Sequence, residues 1–345
     1  MKTLKRNQTH RQVLFLQKLL QKIGYTLPIT GFFDELTDRF VRDFQQKQPL
    51  GVDGIVGTKT WKHLLTKHYD FSLNIKNYIL TNNEWFPDYI EKDTIYLHHT
   101  AGLHRPDYTI DWWEKDSPPG KVYRVGTSFV IGRKALNGDS KWDSVTYRAF
   151  NEIYWCHHLG TKFSNNKQLN QKSIGIEICC LGPLVLEDNE FYYKGNHRTI
   201  KVPANNVCTL ESPWRGHLYF QKYTDAQIEE CKRLILTLAF IFDIPLANIS
   251  YNRKWFDLHQ DAKDGKPGVW AHCNVRADKT DCFPQPELIS MLNSLYEDAK
   301  TFLPSQNSLE SFKSNFVKKN DLNNPEIEHY TEDLNFTEYN GYYSK

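Results

Sequence analysis

The chain has 345 residues, and its 43 basic and 41 acidic residues leave a formal net charge of only +2. Such a balance gives no overall field that would attract nucleic acid or an anionic membrane, and the length favours a small domain beside a larger one. Seven cysteines in an odd set without framework-like spacing favour reduced thiols or metal ligands over a disulfide scaffold.

Residues 1–68 are predicted to form a small all-α domain of three helices. Apolar residues recur at helical spacing in three stretches, which are Val13, Leu16, Leu20 and Ile23, then Leu36, Phe40 and Phe44, then Trp61, Leu64 and Leu65. Related turns, GFFDELT at 31–37 and DGIVGTKT at 53–60, precede the second and third helices. Their glycines permit positive φ, and Asp or Thr can cap the helix that follows, so the turns predict an internal duplication.

Residues 69–92 are predicted to be a linker, and residues 93–300 an α/β domain with a mixed central β-sheet flanked by helices. The predicted elements are the strand TIYLHH, the hairpin-like SFVIGRKALNGDS, the strand SIGIEICCLG, and a helix whose Thr224 and Gln227 fit a capping box. An insertion at about 183–222 fits two or three added strands lining a groove. Residues 301–345 are polar and Asn-rich, and they are predicted to be an appended tail.

The stretch IYLHHTAG places two histidines, His98 and His99, at the end of a predicted strand. Successive side chains of a strand face opposite sides, so at most one of the two can belong to a given metal site. A second stretch, WAHCNVRADKTDCFPQ, contributes His272, Asp281 and Cys282. Two histidines and a cysteine fit the three ligands of a catalytic zinc site with one open position.

The strand SIGIEICC carries a carboxylate, Glu177, among apolar residues. Burying a charge is costly unless it is paired or used. Glu177 is therefore either part of a structural ion pair or a general base whose pKa is raised by its surroundings.

Two family resemblances follow from these motifs. The stretches VLFLQKLL, RDFQQ and GVDGIVGTKTW resemble the three-helix peptidoglycan-binding module attached to many wall hydrolases, with a generic helical mini-domain as the alternative. The ordered set of IYLHHTAG, SFVIGRK, CHHLG, SIGIEICC, YTDAQIEEC and the segment from His272 to TDCFP resembles the zinc-dependent N-acetylmuramoyl-L-alanine amidase family. This second resemblance spans roughly residues 93–297.

The amidase resemblance implies Zn²⁺ as the cofactor, held by His98, His272 and Cys282, with Asp281 as the alternative third ligand. It also implies that Glu177 is the catalytic glutamate.

Some members of the family place an oxyanion-supporting lysine two residues before the third ligand. Counted from Cys282, that slot is Thr280 and Lys279 lies one residue further back, so either is a candidate catalytic residue. Thr127 is the nearest counterpart of a tyrosine that assists in some lysins. His158 in CHHLG is expected to bind substrate or to support the structure, and His259 is expected to lie in a surface loop.

The function that the resemblance implies is hydrolysis of the amide between N-acetylmuramic acid and L-alanine in peptidoglycan. The alternatives are a peptidoglycan-binding protein that does not cut, and the same amidase exported as an antibacterial toxin with an immunity partner and secretion machinery. The N-terminal stretch has only short apolar runs, so we expect synthesis in the cytoplasm without a signal peptide or membrane span, and action on the cell wall after non-standard release.

Overall fold

The computed structural model describes residues 3–65 and 75–301 apart from residues 82, 89, 119–120 and 196–197. The predicted tail, from residue 302 onward, lies outside the described residues, as does the predicted domain boundary near residue 68. Among the described helices, none is both long enough and apolar enough to cross a membrane.

The N-terminal domain consists of three helices, as predicted: α1 (Arg11–Lys22), α2 (Glu35–Gln46) and α3 (Thr58–Leu65). Its buried core contains most of the apolar positions that the helical spacing selects, including Val13, Leu16, Leu20, Phe44, Trp61 and Leu64. Asp34 caps α2 by accepting a hydrogen bond from the backbone N–H of Thr37.

Two buried glutamines make equivalent hydrogen bonds in the two copies of the turn, as an internal duplication predicts. The Gln17 side chain accepts from the backbone N–H of Gly31 at 2.9 Å and donates to the Thr37 hydroxyl at 3.1 Å. In the second copy, Gln45 accepts from the N–H of Gly54 at 2.9 Å and donates to the Thr60 hydroxyl at 3.1 Å. Each glutamine thus joins a left-handed glycine turn to the helix that follows it.

The second domain is built on a six-stranded mixed sheet with the order β1-β4-β3-β5-β2-β11. Its strands are β1 (Ile75–Asn77), β2 (Thr94–His99), β3 (Phe129–Ile131), β4 (Thr146–Arg148), β5 (Ser173–Ile178) and β11 (Gly268–Ala271). Only the β3–β4 pair is antiparallel. The predicted mixed α/β class is therefore confirmed.

Three neighbouring strands of this sheet, β5, β2 and β11, bring the candidate site residues together. In the register of β2 against β5, His98 lies beside Glu177, and in that of β11 against β2, Ala271 lies beside Leu97. Because all three strands run the same way, their carboxyl ends share one edge of the sheet, where His272 follows Ala271.

The remaining described helices are α4 (Pro106–Lys115), α5 (Asn166–Lys172), α6 (Asp225–Phe242), α7 (Gln260–Lys263) and α8 (Pro286–Thr301). The predicted capping box of α6 is present, since Thr224 and Gln227 each bond the other's backbone. Helix α6 also meets the N-terminal domain, where the Gln12 side chain donates to the Phe240 carbonyl at 3.3 Å.

Two regions differ from the sequence-based expectation. The predicted linker contributes β1, a three-residue edge strand that is mostly exposed and so carries no apolar alternation to reveal it. The insertion forms a separate five-stranded antiparallel sheet, not two or three strands. Its strands are β6 (Pro183–Glu187), β7 (Glu190–Gly195), β8 (Arg198–Val202), β9 (Val207–Trp214) and β10 (His217–Gln221).

Candidate metal centre and catalytic groups

Three ligand atoms converge at the carboxyl end of β2 and β11. The Nδ1 atoms of His98 and His272 lie 3.1 Å apart, and the Asp281 Oδ2 atom lies 3.3 Å from the first and 3.0 Å from the second. Zinc bound tetrahedrally at about 2.0–2.1 Å separates its ligand atoms by about 3.3 Å. The spacing and chemistry of this set therefore fit a zinc ion, and within the described residues it is the one group of this kind.

Hydrogen bonds to the outer nitrogens of both histidines fix which nitrogen carries the proton. The His272 Nε2 atom lies 2.8 Å from the Leu159 carbonyl oxygen, which can only accept, so Nε2 is the protonated nitrogen. The lone pair of His272 Nδ1 is therefore the one that faces the other two ligand atoms.

A longer chain of hydrogen bonds gives the same result for His98. The Ser173 hydroxyl donates to the Leu169 carbonyl at 2.6 Å, so it accepts from His158 Nε2 at 2.9 Å. Burial, together with the neighbouring His98, holds the pKa of His158 well below its usual value, so the ring is neutral and its Nδ1 accepts. His98 Nε2 then donates to His158 Nδ1 at 2.9 Å, which leaves the lone pair of His98 Nδ1 facing the other two candidate ligand atoms.

A glycine makes room for this arrangement. Gly175 precedes Glu177 by two residues on β5, and a Cβ atom there would lie 2.6 Å from the Thr127 Cγ2 atom and 3.3 Å from His158 Nδ1. A larger residue would clash with Thr127 and crowd the His158 ring, so the glycine of SIGIEI leaves space for both side chains.

The structure brings Asp281, and not Cys282, to the two histidines. The Cys282 thiol is fully buried beside the Tyr223 hydroxyl, and burial raises its pKa well above the usual value. Tyr223 also bonds His99 Nδ1 at 2.9 Å, so Cys282 lies on the side of the sheet that faces away from His98. Forming a thiolate there would be costly, whereas the Asp281 carboxylate is already in place.

Glu177 lies next to the ligand group and is suited to proton transfer. Burial, and then the nearby Asp281 carboxylate, raise its pKa well above the usual value for a glutamate. Its Oε2 atom is buried and has no hydrogen-bond partner among the described residues. The charge of Lys279 acts on Glu177 in the opposite direction and lowers its pKa, but less strongly than burial and Asp281 raise it.

Lys279 and Thr280 lie between the two ligands of the last loop. The Lys279 side chain is buried near the carboxylates of Asp281 and Glu177. Burial lowers its pKa to about 8, although both carboxylates act to raise it. Thr280 is half-buried, and no hydrogen bond joins its hydroxyl to the described residues of the site. Counted from Asp281, Lys279 occupies the slot two residues before the third ligand.

The other candidates lie outside the ligand group. His99 faces Tyr223, as strand alternation requires, and Thr127 is buried with its hydroxyl donated to the Phe129 carbonyl at 3.0 Å. His259 precedes α7 and its ring lies 4.8 Å from that of Trp270. His158 bonds His98 with one ring nitrogen and Ser173 with the other, and these contacts fit the structural role that was one of its two expected roles.

Sequence reasoning did not select Leu159, Ser173 or Gly175. Ser173 and Gly175 belong to the SIGIEI strand, and their position on the same face as Glu177 was the available signal. The carbonyls of Leu159 and Leu169 could not be found from residue types, because any residue supplies a backbone carbonyl.

Two family models match the chain. Residues 89–286 match the family model of N-acetylmuramoyl-L-alanine amidase, and residues 9–64 match that of a peptidoglycan binding domain. No curated protein matches the chain.

Two solved structures are similar to parts of this chain. The Burkholderia AP3 phage endolysin is 35% identical over 20% of this chain and 27% of its own, with a TM-score of 0.19, so the chain spans about a quarter of that protein. PlyL is 10% identical over 65% of this chain and 97% of its own, with a TM-score of 0.34. The family model covers more than half of the residues, and the chain belongs to the N-acetylmuramoyl-L-alanine amidase family.

Proposed function

We propose that the protein is a zinc-dependent peptidoglycan amidase that hydrolyses the bond between the lactyl group of N-acetylmuramic acid and L-alanine. The observation that carries the proposal is the convergence of two imidazole lone pairs and a carboxylate oxygen within 3.0–3.3 Å, beside the carboxylate of Glu177. Three electron-rich atoms that close repel one another unless a proton or a metal cation lies between them. A protein that only bound peptidoglycan would have no need of a buried carboxylate at that place.

His98, His272 and Asp281 would hold the ion. When bound, zinc supplies Lewis acidity, which polarises a carbonyl and makes water a nucleophile near neutral pH. The His158 ring and the Leu159 carbonyl keep the two histidines in the tautomer that binding requires.

Glu177 acts as the general base and then as the general acid. Its carboxylate takes a proton from the attacking water and passes that proton to the nitrogen of the leaving L-alanine. A raised pKa suits both steps, because the group must accept a proton from water and give it up to an amine in one cycle.

The ammonium group of Lys279 would stabilise the negative charge that develops on the carbonyl oxygen. Its pKa of about 8 leaves it mostly protonated at neutral pH. Such a group is typically worth a few kcal/mol of transition-state stabilisation.

The N-terminal domain would keep the enzyme on its insoluble substrate and raise the local concentration of scissile bonds. The place of action is then the cell wall. A toxin with an immunity partner and an export machine would use the same chemistry.

The proposal is tested by digesting purified peptidoglycan with the protein, with and without a zinc chelator, and identifying the soluble products by mass spectrometry. We expect free stem peptides that begin with L-alanine, lost on chelation and restored by added zinc. Intact polymer in the presence of zinc-loaded protein would refute the amidase and favour a binding protein.

The role of His158 gives a separate prediction. Replacing it with phenylalanine keeps a ring in place but removes both nitrogens, so His98 loses the acceptor that fixes its tautomer. We expect zinc affinity to fall by roughly 10–100-fold, measured by competition with a chelator of known affinity. The control is His259→Phe, which alters a half-buried histidine outside the group, and equal zinc affinity in both variants would contradict the assigned role.

A further inference from the structure

The five-stranded sheet of the insertion ends in a tight hairpin turn. This turn lies next to the segment from His272 to Asp281, which carries two of the candidate metal ligands. Arg215 and Gly216 connect β9 to β10, with Trp214 paired to His217 on either side. Both connecting residues are left-handed, with φ of 49° and 82°. A two-residue connection of this kind is the turn that best fits the twist of a hairpin, and a residue other than glycine adopts its first position at some cost.

The Arg215 guanidinium donates to five backbone carbonyls outside its own sheet. Its Nη1 atom contacts the carbonyl oxygens of Arg276 at 2.7 Å, Ala277 at 2.8 Å and Lys279. Its Nη2 atom contacts those of Cys273 at 2.8 Å and Phe256 at 3.4 Å.

Four of these five carbonyls belong to the segment between His272 and Asp281. That segment holds two of the three ligands at its ends and carries Lys279. The segment's own arginine, Arg276, does not bind these carbonyls, because its side chain donates to Asp278 and to the Gly160 carbonyl. Arg215 is thus the cation around which the described loop is folded.

We infer that Arg215 is a positioning residue, through which the inserted sheet holds the 273–279 segment so that His272, Lys279 and Asp281 keep the arrangement that zinc binding and oxyanion stabilisation require. The inference rests on the proposed function. It gives the insertion a part in the active site although none of its residues belongs to the ligand group.

The chemistry of the contact requires arginine in particular. Carbonyl oxygens that point at a common centre repel one another, and a planar guanidinium with its fan of N–H donors can satisfy several of them at once. A lysine at the same position offers three donors on a single nitrogen and satisfies fewer. Without either, the carbonyls must turn to water, and the ligands at the ends of the segment move with them.

The test compares Arg215→Ala and Arg215→Lys with Arg253→Ala in the full chain. Arg253 donates to the Ser212 carbonyl at 2.9 Å, so it supports the same hairpin without touching the 273–279 segment. The readouts are the dissociation constant for zinc and the visible absorption spectrum of the cobalt-substituted protein, which reports ligand geometry independently of turnover.

We expect Arg215→Ala to weaken zinc binding by roughly 10–100-fold and to change the cobalt spectrum, with Arg215→Lys in between. Arg253→Ala should lower the melting temperature while keeping both readouts at the wild-type value. If Arg215→Ala does not fold, Arg215→Lys decides, and wild-type zinc affinity with an unchanged spectrum in that variant overturns the inference. A wild-type protein that fails to bind zinc refutes the proposed function instead.

Discussion

Replacement of Glu177 by glutamine is expected to reduce the release of stem peptides by a factor of about 10²–10⁴ while leaving zinc binding intact. Glutamine has nearly the same shape as glutamate but cannot take a proton from water. Because Glu177 lies beside the ligand group without being one of its members, the metal affinity should not depend on it.

The measurement pairs turnover on purified peptidoglycan with the zinc content of the purified variant. Glu211→Gln is the matched control, since it makes the same chemical change at an exposed position on β9. Full activity in Glu177→Gln would show that another group carries the proton. Loss of zinc in that variant would show that Glu177 is a ligand, contrary to the assignment.

Asp281→Ala is expected to abolish both zinc binding and activity, whereas Cys282→Ala should keep both. The carboxylate supplies one of three converging atoms, and two histidines alone bind zinc far more weakly. The Cys282 thiol fills space and bonds the Tyr223 hydroxyl, so its removal should cost about 1–2 kcal/mol in the free energy of unfolding of the metal-free protein.

Thermal unfolding with and without added zinc distinguishes the two variants. A ligand that binds only the folded state raises the melting temperature, so zinc should stabilise the wild type and Cys282→Ala but not Asp281→Ala. The reverse pattern, with zinc lost on removal of the thiol, would restore Cys282 as the third ligand.

The alternation of side chains along a strand predicted correctly that His98 and His99 separate to opposite sides. Asp281 and Cys282 separate too, but nothing in their order tells which one faces the histidines, and zinc accepts both ligand types. That choice depends on Tyr223, more than fifty residues away in the chain, which takes up the thiol on the far side. The choice between Asp281 and Cys282 also decides whether Lys279 or Thr280 lies two residues before the third ligand.

The supporting contacts were beyond sequence reasoning for a different reason. His158 was visible as a histidine near the site, yet its role depends on strand β5, which brings Ser173 to one ring nitrogen while β2 brings His98 to the other. The central strands, the helix caps and the three-helix domain could be predicted, since each is encoded by local spacing and turn chemistry. The five strands of the insertion could not be counted, because the residues of strands such as β7 and β8 do not alternate clearly between buried and exposed.

The inserted sheet limits how far the enzyme can be shortened by protein engineering. A shortened enzyme that joins residue 182 to residue 222 would retain every ligand and proton-transfer group, and a comparison of catalytic residues alone would judge it complete. It would nevertheless lack the guanidinium on which five loop carbonyls converge. The inference about Arg215 therefore predicts that the smallest active fragment of this chain includes the insertion, although the insertion carries none of the candidate ligands or proton-transfer groups.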